Sequence, residues 1–136
     1  MANSLSIQIL EEGPRNAVVK LVGVLDTSNQ SAVLAVDLST LNQGGTGPTP
    51  TSVRIDMVDY SISDQLGVQF YWDATTDVIA FALTGREDMN FKGFGGVTNN
   101  AGAGKTGNLL VSTTGYTSGT QTYTIVLQMV KQGPDL

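Results

Sequence analysis

VRIDMVDYSISDQLGVQFYWDATTDVIAFAL, the stretch from Val53 to Leu83, indicates the fold more clearly than any other part of the chain. Apolar and polar residues alternate along it, and two short polar segments interrupt the alternation, at Ser63–Gln65 and at Asp73–Asp77. Successive side chains of a strand point to opposite faces, so each alternating run offers one apolar face to a core. Connections this short join antiparallel neighbours. The stretch therefore predicts three consecutive antiparallel strands.

The alternation also predicts which side chains of these strands point inward. Ile55 and Met57 fall on one face of the first strand, and Asp56 falls on the opposite, solvated face. In the second strand the inner face carries Phe70 and Trp72, because large aromatic side chains on strands are most often part of the core. Tyr71 then points outward, where it is available to a partner.

Five further segments have the alternation or the β-branched content of strands, which brings the count to about eight. They are residues 5–10, 17–25, 32–38, 108–113 and 122–131. The chain contains no internal repeat and no convincing helical pattern. We therefore predict an all-β protein with a single domain over residues 1–136, an antiparallel β-sandwich of the jelly-roll type with short flexible tails.

Two Gly-rich segments are predicted to be surface loops, Asn42–Ser52 and Thr84–Gly107. The second contains apolar residues and three of the seven bases, so it is not a simple polar linker. It caps one end of the domain, docks onto an acidic neighbour or is simply solvated. The residues of this loop that we predict to bind a partner are Arg86, Phe91, Lys92, Phe94 and Lys105.

Composition argues against several function classes. The chain has no Cys and no His, which removes thiolate chemistry and the commonest general base and metal ligand. Its net charge of −5 makes it a poor candidate for nucleic-acid binding, which depends on clustered Lys and Arg. Charged residues make up only 14%, where about a quarter is usual. A surface of small neutral groups suits contacts with other chains.

Three patterns suggest chemistry without completing it. Gly102–Thr106 is similar to the end of a phosphate-binding loop, but Asn99 stands where that motif needs Gly, and a strand-like run follows instead of a helix. Asp73 and Asp77 flank a turn and are too few for a calcium loop. The acids of the first strand and its turn are suitable for a hydrolase only if two of them share a pocket. We therefore predict no cofactor, no metal and no enzymatic activity.

Nothing in the sequence predicts a secretion signal or a membrane span. The first residues lack a basic segment followed by an apolar one, and no apolar run approaches the ~18 residues that cross a bilayer. We expect a protein that is made in the cytoplasm.

The runs RIDMVDYSISD, VQFYWDATTDV, LTGREDMNFKGFGGVTNNAGAGKTGN and TYTIVLQMVK resemble the small capsid cement, or decoration, proteins of tailed bacteriophages. The resemblance covers Val53–Lys131 and, more loosely, the N-terminal third; it consists of a shared rhythm of strands, the WDATTD turn and the FGG loop. It implies a jelly roll or similar sandwich on the outer surface of the icosahedral head, clamping neighbouring copies of the major capsid protein. It implies no active site.

From this resemblance we expect a structural virion protein, made in the host bacterial cytoplasm and located on the capsid exterior. Its expected partners are the major capsid protein and further copies of itself, as a homodimer or homotrimer, but neither nucleic acid nor membrane. Three alternatives stay open: a carbohydrate-binding β-sandwich, a phage tail or fibre module, and a small hydrolase that uses paired Asp residues.

Overall fold

Two antiparallel β-sheets packed face to face form the fold. A computed structural model describes residues 3–13, 15–41 and 50–132, and these hold nine strands. They are β1 (Ser4–Glu12), β2 (Asn16–Leu25), β3 (Val33–Val36), β4 (Ser52–Ile62), β5 (Gly67–Trp72), β6 (Val78–Leu83), β7 (Arg86–Asn90), β8 (Leu109–Thr114) and β9 (Gln121–Gln132). Short 3-10 turns lie at Leu38–Thr40 and Lys92–Phe94. The predicted all-β antiparallel sandwich is confirmed.

The strands divide into a five-stranded sheet A and a four-stranded sheet B. Sheet A has the order β1-β2-β9-β4-β7, and sheet B has the order β3-β8-β5-β6. The three strands predicted from Val53–Leu83 are β4, β5 and β6, but only β5 and β6 pair with each other. The prediction of three consecutive neighbours was wrong because the turn at Asp64–Gln65 carries the chain from sheet A to sheet B. Leu66, which follows this turn, is buried between the layers.

The core lies between the inner faces of the two sheets and follows the predicted alternation. Phe70 and Trp72 of β5 are completely buried, as is Ile55 of β4. In the last strand every second residue is buried, and the residues between them are exposed or half-buried. The buried set of β9 is Tyr123, Ile125, Leu127, Met129 and Lys131.

A β-bulge changes which face of β4 is apolar. The pairing of β4 with β9 shifts register between Ile55 and Met57. An extra residue in one strand reverses the alternation after it. Val58 therefore takes the buried position and Met57 is only half-buried. The prediction that Ile55 and Met57 share the inner face was wrong, since a bulge leaves no mark on an otherwise alternating sequence.

The segment Thr84–Gly107 is less of a loop than its composition predicts. Arg86–Asn90 forms β7, which pairs with β4 at the edge of sheet A. Phe91 after it is buried, and its ring lies 6.0 Å from that of Phe81. Strand β7 escaped prediction because three of its five residues are charged, which is a common composition for an edge strand but a poor signal for a strand.

The connections between strands gather at the two ends of the sandwich. One end, called here the short-loop end, holds the connections 26–32, 63–66, 84–85 and 115–120. The other, the long-loop end, holds 13–15, 37–51, 73–77 and 91–108, of which residues 14 and 42–49 lie outside the described part of the chain. Most of the loop predicted at Asn42–Ser52 is therefore not described.

A buried hydrogen bond ties the two sheets together near the short-loop end. The hydroxyl of Tyr123, on β9, donates to Oε1 of Gln30 at 2.5 Å. The backbone N–H of Gln30 donates in turn to Oγ1 of Thr113, on β8 of sheet B, at 2.8 Å. A Cβ atom at Gly23 would lie only 2.2 Å from Cζ of Tyr123. The position beside the ring therefore requires a residue with no side chain. Burial raises the pKa of Tyr123 to about 12.

Replacement of Trp72 by Ala should lower the free energy of unfolding by about 3–5 kcal/mol, because it leaves a large cavity between the sheets. Urea denaturation measures the loss. The matched control is Tyr71→Ala one position along, on the outer face, which should cost about 1 kcal/mol or less. Equal losses at the two positions would mean that the faces of β5 have been assigned the wrong way round.

Alkaline pH should destabilise the fold through Tyr123. Its pKa is about 12 in the folded chain and about 10 in the unfolded chain, so the unfolded state loses its phenolic proton first. Stability from this group is complete below about pH 10 and falls by roughly 2–3 kcal/mol as the pH rises to about 12. Tyr123→Phe should be less stable at neutral pH yet lose less stability on alkalinisation. An unchanged alkaline slope in urea titrations of this variant would contradict the assignment.

Candidate interaction surfaces

An uninterrupted row of apolar side chains crosses the outer face of sheet B. The register places Leu34 of β3 opposite Leu110 of β8, Leu110 opposite Tyr71 of β5, and Tyr71 opposite Ile79 of β6. Directly opposed residues of neighbouring strands lie on the same face, with Cβ atoms about 5 Å apart. These four residues, Leu34, Leu110, Tyr71 and Ile79, are called here the apolar row.

The two ends of the apolar row are open to solvent. Leu34 is 40% exposed and Ile79 is 52% exposed. Leu110, in the middle of the row, is only 8% exposed, although it is not part of the core cluster between the sheets. Outer faces of antiparallel sheets are ordinarily polar. A continuous apolar row in that position therefore needs an explanation beyond folding.

The next row of the same face is polar or small. Ser112, Gln69 and Ala82 stand side by side on β8, β5 and β6. The Gln69 side chain donates a hydrogen bond to Oγ1 of Thr114 at 3.1 Å. The apolar character is thus confined to one strip, and the outer face of sheet B is not uniformly apolar.

An apolar groove adjoins the row at Leu34. It opens between the edge strands β1 and β3, encloses about 320 Å³, and has the side chains of Ile7 and Ile9 on its β1 side. Its other lining residues are Val19, Leu34, Ala35, Val36, Asp37, Thr40 and Leu41. Ile7 is 47% exposed and Ile9 38% exposed. The groove and the row together account for four of the five large hydrophobic residues exposed in the described part of the chain.

The outer face of sheet A differs from that of sheet B. Its exposed positions on the inner strands β9 and β4 are polar, as at Thr124 and Asp59. Nε of Arg54 donates to Oδ1 of Asp56 at 2.8 Å, and this hydrogen bond raises the pKa of Arg54 above its ordinary value. Half-buried valines of β2 and β9 lie between these groups. Sheet A thus has the ordinary mixed surface of a solvated sheet.

The partner-binding residues predicted from sequence do not come together. Tyr71 lies in the apolar row. Arg86 lies at the short-loop end, whereas Lys92 and Lys105 are exposed at the long-loop end. Phe91 is 9% exposed and packs inside the fold, so its side chain has little surface left for a partner. For Phe94 the backbone ends the 3-10 turn, and its side chain is outside the described part of the structure.

The acidic residues of the β5–β6 turn serve the turn itself. Oδ1 of Asp77 accepts the backbone N–H of Ala74 at 3.1 Å, and Oδ2 of Asp73 accepts the hydroxyl of Thr106 at 2.8 Å. The first bond lies within the turn, and the second joins the turn to the segment Gly102–Thr106, after which the chain enters β8 rather than a helix. Across the described ranges no group of three or more acidic residues is placed to hold a metal ion.

A buried ion pair fixes the end of β1 that borders the groove. Nζ of Lys131 donates to Oε2 of Glu12 at 2.8 Å and to the carbonyl of Gly13 at 2.9 Å. The Lys131 side chain is 1% exposed and that of Glu12 14% exposed. Among the described strands β1 pairs only with β2, and this ion pair adds a contact between β1 and β9, on the far side of β2.

Lys131→Met should destabilise the fold by about 3–5 kcal/mol, because it leaves a largely buried carboxylate without its cation. The double variant Lys131→Met/Glu12→Leu should recover most of that loss, since replacing both members of a buried pair by apolar groups is often neutral. Thermal or urea unfolding measures both. Lys20→Met, a half-buried lysine on the outer face of sheet A, is the control and should change stability little. A double variant as unstable as the single one would refute the role of the pair.

Within the described ranges, no helix has the length and apolarity needed to traverse a bilayer. No protein-family model matches the chain, and no curated protein matches it significantly.

Proposed function

We propose that the chain is a capsid cement protein: a structural virion protein that binds the outer surface of a tailed-phage head and stabilises contacts between major capsid protein subunits. The apolar row on the outer face of sheet B is the observation that carries this proposal. It is a partly exposed apolar line on the outer face of a sheet, a position that is ordinarily polar. The sequence resemblance supplies the class of partner.

Burial of the apolar row supplies a physical reason for attachment. Apolar surface removed from water contributes roughly 25 cal/mol per Å², and Ile79 and Leu34 have much of their surface still to bury. One such contact is weak. A shell offers many identical sites, and contacts made to two neighbouring subunits at once strengthen each other through effective concentration. A small rigid module with a modest contact strip is therefore sufficient to cement a symmetric lattice.

The loops of the long-loop end supply a second, polar contact. Lys92 and Lys105 are exposed there. Neither forms an ion pair among the described residues. Rim charges of this kind steer encounter and set orientation more than they add affinity. We assign them the recognition of acidic groups on the shell, with the apolar row as the anchor.

We also infer that the sandwich is a jelly roll. Removal of β1 from sheet A leaves the orders β2-β9-β4-β7 and β3-β8-β5-β6. Eight strands then form two four-stranded sheets. In each sheet a strand from the beginning of the chain lies beside one from its end, β2 beside β9 and β3 beside β8. This arrangement supports two nested Greek keys. Strand β1 is then an addition at the edge of sheet A.

The test begins with phage particles that contain the chain, identified by mass spectrometry of purified virions. Shells stripped of it are mixed with the recombinant chain and pelleted. Wild type should pellet at stoichiometric copy number. Ile79→Asp should reduce the bound fraction at a given concentration at least about tenfold, because a charge in an apolar contact is left desolvated without a partner.

Thr124→Asp is the matched control, because Thr124 is an exposed strand residue on the outer face of sheet A. It should bind as wild type does. Both variants are first shown to unfold at the wild-type temperature. Equal binding by the two Asp variants would remove the apolar row from the interface, and failure of the wild-type chain to bind shells would remove the cement function itself.

A further inference from the structure

The edge strand β1 differs from the other sheet edges of the molecule. Two edges belong to sheet A, β1 and β7, and two to sheet B, β3 and β6. An unpaired edge is a template for another strand, and natural proteins usually protect it with charge or shortness, or by covering it. Strand β7 exposes Arg86, Glu87 and Asp88, and β3 has only four residues. Beside β6 the gap between the sheets is closed by the rings of Phe81 and Phe91.

Strand β1 has none of these protections over most of its length. It is nine residues long, and Ser6–Glu11 are all exposed. No charge occurs before Glu11. In the described part of the chain no strand pairs with its outer side. The gap it borders is the apolar groove, and among the described residues no aromatic pair fills it.

The sequence of β1 is complementary to itself. In an antiparallel pair centred on Ile7, the two copies of Ile7 face each other and Leu5 of each copy faces Ile9 of the other. These are the inward-facing residues of β1, since they pair with Gly23, Leu21 and Val19 of β2. On the opposite face Ser6 would meet Gln8. The paired segment ends before the irregularity in β1, which lies between Ile9 and Glu11.

Charge supports the same register. The acids Glu11 and Glu12 follow the paired segment, so each copy's acids extend past Ser4 of the other copy and do not face its acids. Lys131 already neutralises Glu12 within its own chain. Like charges directly opposite each other destabilise strand pairing, and this register avoids them.

We propose that two copies of the chain form a two-fold symmetric dimer by pairing β1 with β1 about an axis at Ile7. The two five-stranded sheets join into one sheet of ten strands. The two apolar grooves then face each other across the axis and are closed by the joining of the copies. Because a two-fold interface uses the same patch on both copies, one substitution acts twice. This dimer forms from the isolated chain and does not depend on capsid binding.

Sedimentation velocity of the full chain over roughly 1–200 µM tests the dimer. Wild type should shift from monomer to dimer in this range. Ile7→Lys should weaken association at least about 100-fold, because it places two ammonium groups side by side in an apolar groove. Thr124→Lys is the control: it charges an exposed strand residue on the outer face of sheet A, away from the β1 edge, and should dimerise as wild type does.

Cross-linking separates a lost interface from a lost fold and also tests the register. The chain has no native cysteine. Under mild oxidation Ile7→Cys should form a covalent dimer, since opposed Cβ atoms lie within or close to disulfide reach. Leu5→Cys and Ile9→Cys should each remain uncross-linked alone and should form a mixed dimer when combined.

Three results would overturn the proposal. One is a wild-type chain that stays monomeric throughout the concentration range, which would leave the groove to residues 42–49 or to another protein. The second is an Ile7→Lys variant that is folded and dimerises normally. The third is an Ile7→Cys variant that does not cross-link while Ile9→Cys cross-links with itself, which would place the axis elsewhere. Binding of Ile7→Lys to capsid shells then reports on the cement function separately.

Discussion

The packing of Phe70 and Trp72 between the two sheets determines the surface of the molecule as well as its core. Both are completely buried, so β5 has only one possible orientation. Tyr71, the residue between them, must then point to the outer face. Because β5 also has a fixed register with β8 and β6, Leu110 and Ile79 are brought beside Tyr71. The apolar row is thus a consequence of core packing and strand register together, and a one-residue slip would disperse it.

The two open sides of the sandwich differ in how completely side chains fill the gap between the sheets. On the side of β6 and β7, Phe81 stacks on Phe70 at 5.0 Å and contacts Phe91, which fills the gap between the sheets. On the side of β1 and β3 the gap is lined by isoleucines that remain partly in water. The first side is completed within one chain. The second is left open by the described residues, and it adjoins the apolar row at Leu34.

Much of the fold could be predicted from the sequence because alternation is a local property. The buried positions of β5 and β9 follow from a period of two, and the turns at Ser63–Gln65 and Asp73–Asp77 follow from their polar residues. Strand β7 and the bulge after Ile55 could not be predicted. A charged edge strand lacks apolar alternation, and a bulge depends on the partner strand rather than on its own residues.

The candidate surfaces were harder to predict than the fold. The outward orientation of Tyr71 could be predicted because both of its neighbours are aromatic core residues and side chains alternate between the two faces of a strand. Leu34, Leu110 and Ile79 are far apart in sequence and meet only through the register of four strands. A single sequence contains no signal for that meeting. The basic residues of the segment 84–107 illustrate the opposite error, since proximity in sequence suggested a cluster and the strand β7 separates Arg86 from Lys92.

In the function proposed above, these surfaces make the chain a module that joins other proteins. In the proposed assembly the apolar row faces the shell, the β1 edge joins two copies, and the sandwich connects the two surfaces. A cryo-electron microscopy map of virions that contain the chain tests this arrangement most directly. We expect sandwich density on the capsid exterior with the outer face of sheet B against the major capsid protein. Density that turns this face to solvent, or a shell without the chain, would contradict it.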